Sequence, residues 1–151
     1  MRNIKLTLEY DGTNFFGSQK QAHHRTVQGE LEKALQKLFR EKIKATFASR
    51  TDSGVHAEGQ VANFRAVSNI PLSKIQLGLN SFLPDDLSVV KIEEMPVSFH
   101  AQFDAKRKTY QYFVWNSNIR PVLMRSKVFF FPAVLDLAKM KKAARLFFRT
   151  P

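Results

Sequence analysis

Apolar and polar residues alternate from the start of the chain: Ile4, Leu6, Leu8 and Tyr10 are separated by Lys5, Thr7 and Glu9. A period of two predicts a half-buried strand. Asp11-Gly12-Thr13-Asn14 then breaks it with turn chemistry. Val27, Leu31, Ala34, Leu35 and Leu38 fall on a three-to-four spacing, which predicts an amphipathic helix over 26–40 capped by Thr26. Ile43, Ala45 and Phe47 return to alternation and predict a second strand. Residues 60–67 predict a third. Pro71 is suited to the first position of a helix with Leu72, Ile75 and Leu79 on one face. Pro84-Asp85-Asp86 ends that segment, and residues 87–93 predict a fourth strand.

The order β-α-β-β-α-β predicts an α+β fold of the ferredoxin-like, split βαβ kind. Its antiparallel sheet carries both helices on one face and leaves the other open. Such open faces are frequent RNA-binding surfaces. The pattern restarts after residue 105. Tyr110, Tyr112 and Val114 alternate as a strand, residues 126–131 are a further strand candidate, and a helix follows from Asp136. That helix sets Leu137, Met140, Ala144 and Phe148 on one face. Lys139, Lys141, Lys142, Arg145 and Arg149 lie on the other. The expected organisation is an N-terminal ferredoxin-like domain over 1–104 and, over 105–151, the beginning of a second α+β domain that is cut short.

Charge sharpens that boundary. The chain of 151 residues carries 24 Lys and Arg against 13 Asp and Glu, a net charge of +11. Residues 105–151 hold eleven of the basic groups and one acidic group, beginning at Lys106-Arg107-Lys108. A polyanion, nucleic acid above all, is the first partner such a balance implies. There is no cysteine, which excludes disulfides, thiolate zinc and a catalytic thiol. No apolar run approaches the roughly 20 residues of a membrane span. The segment MRNIKLTLEY has neither the apolar stretch nor the cleavage site of a signal peptide. The expectation is a soluble, cytoplasmic protein.

The chemistry concentrates between the second and third strands, in Arg50-Thr51-Asp52-Ser53-Gly54-Val55-His56-Ala57. Thr51, Asp52 and Ser53 favour turns supported by their own side chains, and Gly54 permits a positive φ. Arg50 and Asp52 are two apart, so an extended backbone sends them to the same side. A guanidinium there favours the ionised carboxylate. The plainer reading is a carboxylate that caps its loop and a surface ion-pair partner.

The eight residues as a run closely resemble the signature of the tRNA pseudouridine synthase A family, usually RTDAGVHA. Phe16-Gly17, Gln19, Thr26-Val27-Gln28 and Leu31 resemble the family's N-terminal segment. Gly59-Gln60-Val61 follows the signature. Asn80, Leu83-Pro84 and Asp86 resemble its N-x-x-LP-x-D segment, and Phe99-His100-Ala101, Ala105 and Tyr110-Gln111-Tyr112 its FHAR…A…Y-x-Y segment. The resemblance runs from residue 1 to about residue 150. Ser18 stands where the family commonly has Trp, Ser53 where it has Ala, and Gln102 where it has Arg.

The resemblance implies an isomerase that converts uridine to pseudouridine in the tRNA anticodon stem-loop, at positions 38–40 in tRNA numbering. It implies no cofactor and no catalytic metal. By the same resemblance Asp52 is the catalytic aspartate, and Arg50 pairs with it and helps hold the flipped-out nucleotide. Tyr110 stacks on the target uracil and can assist proton transfer. Asp52 as nucleophile and Asp52 as base both remain open. By its position alone Tyr110 is a core residue of its strand. The family's longer members supply part of the cleft from a second half and form homodimers. A non-catalytic RNA-binding module and an inactive fragment of the enzyme are the competing functions.

Other chemistries fall away. His56-Ala57-Glu58 fits the first half of the zinc deaminase signature, whose second half needs two cysteines. His23, His24, His56 and His100 have no metal-ligand spacing. An Asp52–His56 hydrolase pair has only proximity in its favour. No G-x-x-x-x-G-K or G-x-G-x-x-G motif occurs, and the RRM consensus is missing.

Overall fold

The alternation of Ile4, Leu6 and Leu8 is expressed as strand β1, Arg2–Tyr10, in which all three side chains are wholly buried. The structure, a computed structural model, describes residues 1–147. Helix α1 (Val27–Phe39) starts where Thr26 Oγ1 accepts the Gly29 amide at 3.2 Å. It buries Val27, Leu31, Ala34 and Leu35 against the sheet core. Strand β2 is Thr46–Phe47 and β3 is Ala57–Ala66. Helix α2 (Leu72–Phe82) begins one residue after Pro71, which serves as its cap rather than its first residue. It buries Ile75 and Leu79 and stops at Leu83, where the following proline disfavours helical backbone. Strand β4 is Leu87–Met95.

The four strands pair antiparallel in the order β2-β3-β1-β4. With α1 and α2 packed on the face that carries Ile4, Leu6 and Leu8, this is the ferredoxin-like α+β arrangement.

Two local expectations change. The predicted strand over 43–47 shrinks to two residues, although Ile43 and Ala45 stay buried. The backbone of Ala45 is taken by α1 side chains: Glu32 Oε1 accepts its amide at 3.2 Å, and Gln28 Nε2 donates to its carbonyl at 3.0 Å. These bonds satisfy the Ala45 backbone outside the sheet. The second change is on the face away from the helices, which is not wholly open. Asn3 and Asn63 are buried there and bonded to each other at 2.8 Å. Asn3 donates to the carbonyls of Pro96 and Phe99, and Asn63 accepts the Ala101 amide, so residues 96–101 fold over that end.

The chain divides into two compact units, Met1–Lys108 and a second that begins at Thr109. In the second unit, strands β5 (Val114–Asn116) and β6 (Phe129–Phe131) pair in parallel. Helix α3 (Leu137–Ala144) is capped by Asp136, whose Oδ1 accepts the Lys139 amide at 3.0 Å. The strand expected around Tyr110 and Tyr112 begins only at Val114, so both tyrosines precede it. Phe148 and Arg149 of the expected helix lie outside the described residues. No helix among the described residues is long and apolar enough to cross a membrane.

Candidate active site

The turn after β1 places residues 11–18 against the loop of residues 49–56. Two glycines make this approach possible. A Cβ on Gly12 would lie 2.1 Å from the carbonyl oxygen of Val55. Gly17 has φ +85°, and a Cβ there would lie 2.8 Å from the Thr51 carbonyl oxygen. Only glycine meets both demands, a left-handed backbone and contact with another backbone.

Hydrogen bonds then hold the loop residue by residue. The Thr51 amide donates to Ser18 Oγ at 2.8 Å, and the Ser18 amide donates to the Thr51 carbonyl at 3.0 Å. Tyr10 OH and Thr51 Oγ1 are bonded at 2.9 Å. The carbonyl of Phe15 accepts both the Gly54 amide and Ser53 Oγ at 3.2 Å. Val55 N–H closes a turn on the Asp52 carbonyl at 3.3 Å. Gln60 Nε2 holds the Ser49 carbonyl at 3.0 Å. His56 Nδ1 lies 3.2 Å from the Gly12 amide and 3.2 Å from Asp11 Oδ1. A ring nitrogen serves one of these at a time: unprotonated it accepts from Gly12, protonated it donates to Asp11.

The supporting segment is itself anchored. Arg25 makes two hydrogen bonds to Asp86, at 2.7 and 2.6 Å, and its guanidinium lies 4.2 Å from the Phe15 ring centre. The hydrogen bond it donates to Asp86, with the charge of that carboxylate, raises the Arg25 pKa above its ordinary value against the opposing effect of burial. The Arg25 carbonyl accepts the Phe16 amide. Asp86, just before β4, thus steadies the segment that clamps the loop.

At the centre of this clamp the Asp52 side chain is exposed, and among the described residues it has no hydrogen-bond or ion-pair partner. The Arg50 side chain is likewise exposed and without an intramolecular partner among them. The two sit on one loop but form no ion pair with each other, contrary to the expected pairing. An R-x-D spacing brings charges near; it does not supply the burial that makes a surface pair persist. Tyr110 belongs to the second unit and is 60% exposed, not packed into a core. Among the described residues no three His, Asp or Glu side chains gather as a metal site requires.

Tyr10, Phe15 and Ser18 act on the loop, and nothing in the sequence marks them for it. Tyr10 showed only as a strand residue. The partners of Thr51 lie 33 and 41 residues away, and no spacing rule connects them. The arrangement presents a carboxylate on a rigid backbone with its oxygens free, which suits a nucleophile or a base.

A family model described as tRNA pseudouridine synthase matches residues 7–104. A protein named tRNA pseudouridine synthase A from Caldicellulosiruptor saccharolyticus is 48% identical over 147 residues, covering 97% of this chain and 60% of its own length. Its namesake from Acetivibrio thermocellus is 45% identical over 150 residues, covering 99% and 62%. That from Thermotoga neapolitana is 43% identical over 146 residues, covering 96% and 60%. The chain therefore spans about three-fifths of the length of the curated relatives it matches.

Proposed function

The chain belongs to the tRNA pseudouridine synthase family, and from that premise we propose that it carries the Asp52-bearing part of an enzyme that isomerises uridine to pseudouridine in tRNA. One observation carries the reading: the backbone of residues 49–56 is bonded on both sides of Asp52, while the carboxylate is left exposed and unpartnered. A carboxylate that served only to cap its loop would spend its oxygens on backbone amides. A binding module for an anionic strand gains nothing from an unpaired negative charge.

The reaction breaks the N1–C1′ bond of uridine, turns the freed uracil and joins C5 to C1′. The C5 hydrogen leaves as a proton and N1 takes one up, so no electrons enter or leave. The base must first leave its helix, at a cost of about a few kcal/mol. In our proposal Asp52 attacks the nucleotide or removes its proton. Arg50, free of internal partners, holds the flipped nucleotide and pairs with Asp52 when RNA is bound. Tyr110 offers an exposed ring for the target uracil, and stacking recovers about 1–3 kcal/mol. The substrate region is the anticodon stem-loop, positions 38–40 in tRNA numbering. The enzyme acts as a homodimer in the cytoplasm, and its cleft is completed by chain beyond the three-fifths present here.

Release of the C5 hydrogen from labelled uridine in unmodified tRNA tests the proposal on the full-length enzyme. Stoichiometric release, lost on Asp52→Asn, is the expected result. Absence of release by the unaltered enzyme would overturn it.

A further inference from the structure

Beside the edge of the sheet, at the end of β3 remote from the Asp52 loop, lies a cavity of about 400 Å³. Lys42, Lys44, Arg65 and His100 line it, with Glu41 as the one acidic wall residue. Lys5, Lys20, Lys33 and Lys91 of the same unit are paired with carboxylates. Lys42 and Lys44 are exposed and have no such partner among the described residues. Arg65 donates Nη2 to the Val97 carbonyl at 2.8 Å, which fixes the guanidinium without neutralising it. The cavity is thus a concave surface with three uncompensated cations against one anion, the arrangement that concentrates a positive field.

His100 adds a donor and an aromatic neighbour. Its Nδ1 accepts the Phe103 amide at 3.4 Å, so a neutral ring carries its proton on Nε2. The Phe103 ring stacks on the imidazole at 4.2 Å and 20°, yet Phe103 remains 79% exposed. Phe103 is not a wall of the cavity but stacks on one that is, His100, and a cationic cavity bordered by such an exposed ring is complementary to a nucleotide: phosphate on the cations, base on the ring. An acidic peptide would use the cations and leave the ring unexplained. From Ala57, where the catalytic loop meets β3, to Asn63 and Arg65 is six to eight residues, or about 20–27 Å of strand.

We propose that this cavity is a second RNA contact, which takes a nucleotide of the bound tRNA remote from the target uridine. Its phosphodiester sits among Lys42, Lys44 and Arg65, and its base lies on Phe103. The proposal rests on the tRNA reading above for the identity of the strand, and the test separates the two.

The test uses the full-length enzyme, the double variant Lys42→Gln/Lys44→Gln and the separate variant Phe103→Ala. Equilibrium binding is measured across a salt series to whole tRNA and to the isolated anticodon stem-loop, with inorganic phosphate as competitor. For whole tRNA the lysine variant is expected to bind about tenfold more weakly, with a salt slope smaller by about one to two. Phe103→Ala is expected to lose about fivefold or more with its salt slope kept. Stem-loop affinity and kcat at saturating tRNA stay unchanged in both. Unaltered whole-tRNA affinity in both variants, an equal loss with the stem-loop, or displacement by phosphate alone at a concentration near that of the tRNA would overturn the site. If the unaltered enzyme releases no C5 hydrogen while the variants still lose tRNA affinity, the catalytic reading fails and the site stands.

Discussion

Ser18 and Thr51 hold each other by two hydrogen bonds, Thr51 N–H to Ser18 Oγ at 2.8 Å and Ser18 N–H to the Thr51 carbonyl at 3.0 Å. Ser18 is buried, and its own carbonyl accepts the Gln28 amide in the first turn of α1. The residue before Asp52 is thereby tied to a helix of the core. Removing the hydroxyl leaves the Thr51 amide without that partner, a cost of about 1–3 kcal/mol. Ser18→Ala is therefore expected to lower kcat about tenfold or more while KM for tRNA changes by less than about twofold, because positioning and not binding is lost. Steady-state kinetics on the full-length enzyme give the comparison. A rise in KM with kcat unchanged would count against a positioning role.

Asp52→Asn keeps the size of the side chain and removes its charge and basicity. Turnover is expected to fall by about a hundredfold to ten-thousandfold or beyond, with tRNA affinity unchanged or slightly improved, since one negative charge facing RNA is gone. Filter binding beside the C5-hydrogen assay separates the two effects. Normal turnover in this variant would remove Asp52 from the chemistry.

Tyr110 is exposed and lies outside the β5–β6 pair, so its ring is not needed to pack the second unit. Tyr110→Ala is expected to keep the thermal midpoint and reduce turnover more than affinity. Tyr110→Phe should recover the stacking share of that loss and leave any share due to the hydroxyl. A drop in the midpoint with proportionate loss of activity would indicate a structural role instead.

The glycines of the clamp differ in what constrains them, and thermal unfolding should rank them. At Gly12 an added Cβ meets the Val55 carbonyl oxygen at 2.1 Å, so backbone must move. At Gly54 φ is +79° but nothing lies within 4 Å of the added atom. Gly54→Ala should cost only the left-handed conformation, about 1–2 kcal/mol. Gly12→Ala should destabilise more, or shift the loop and depress turnover without full unfolding. Equal effects would show that the two backbones do not press on each other as described.

Glu93 and Glu94 set an acid limb to stability. The hydrogen bonds from Lys5 and then Lys91 lower the Glu93 pKa below 4.5, and the hydrogen bond from Arg2 does the same for Glu94. A carboxylate with a lowered folded pKa contributes stability that is complete above its unfolded value and is lost as pH falls through the folded one. The thermal midpoint should therefore decline once pH drops below about 4.5. Because both pairs remain partly open to solvent the decline from them is shallow, and Glu93→Gln/Glu94→Gln should flatten part of it. An identical pH profile in the double variant would assign the acid limb to other groups.

Much of the fold follows from neighbours along the chain. Alternation at Ile4, Leu6 and Leu8 and the three-to-four spacing from Val27 to Leu35 each specify an element and its buried face. Thr26 and Asp136 cap helices through amides three residues on. The run from Arg50 to Ala57 made Asp52 the candidate carboxylate. The rest depends on contacts between residues distant in sequence. The strand expected over 43–47 retains only two residues, and Glu32 and Gln28 of α1 hold the Ala45 backbone outside it. Arg50 and Asp52 stay apart despite their spacing, and Tyr110 falls ahead of the strand predicted to contain it. The loop is rigid because Tyr10, Phe15 and Ser18 reach it from up to 41 residues away. Periodicity records which side of an element meets the core, whereas the partner of a backbone amide is chosen by whichever distant acceptor the fold brings within about 3 Å.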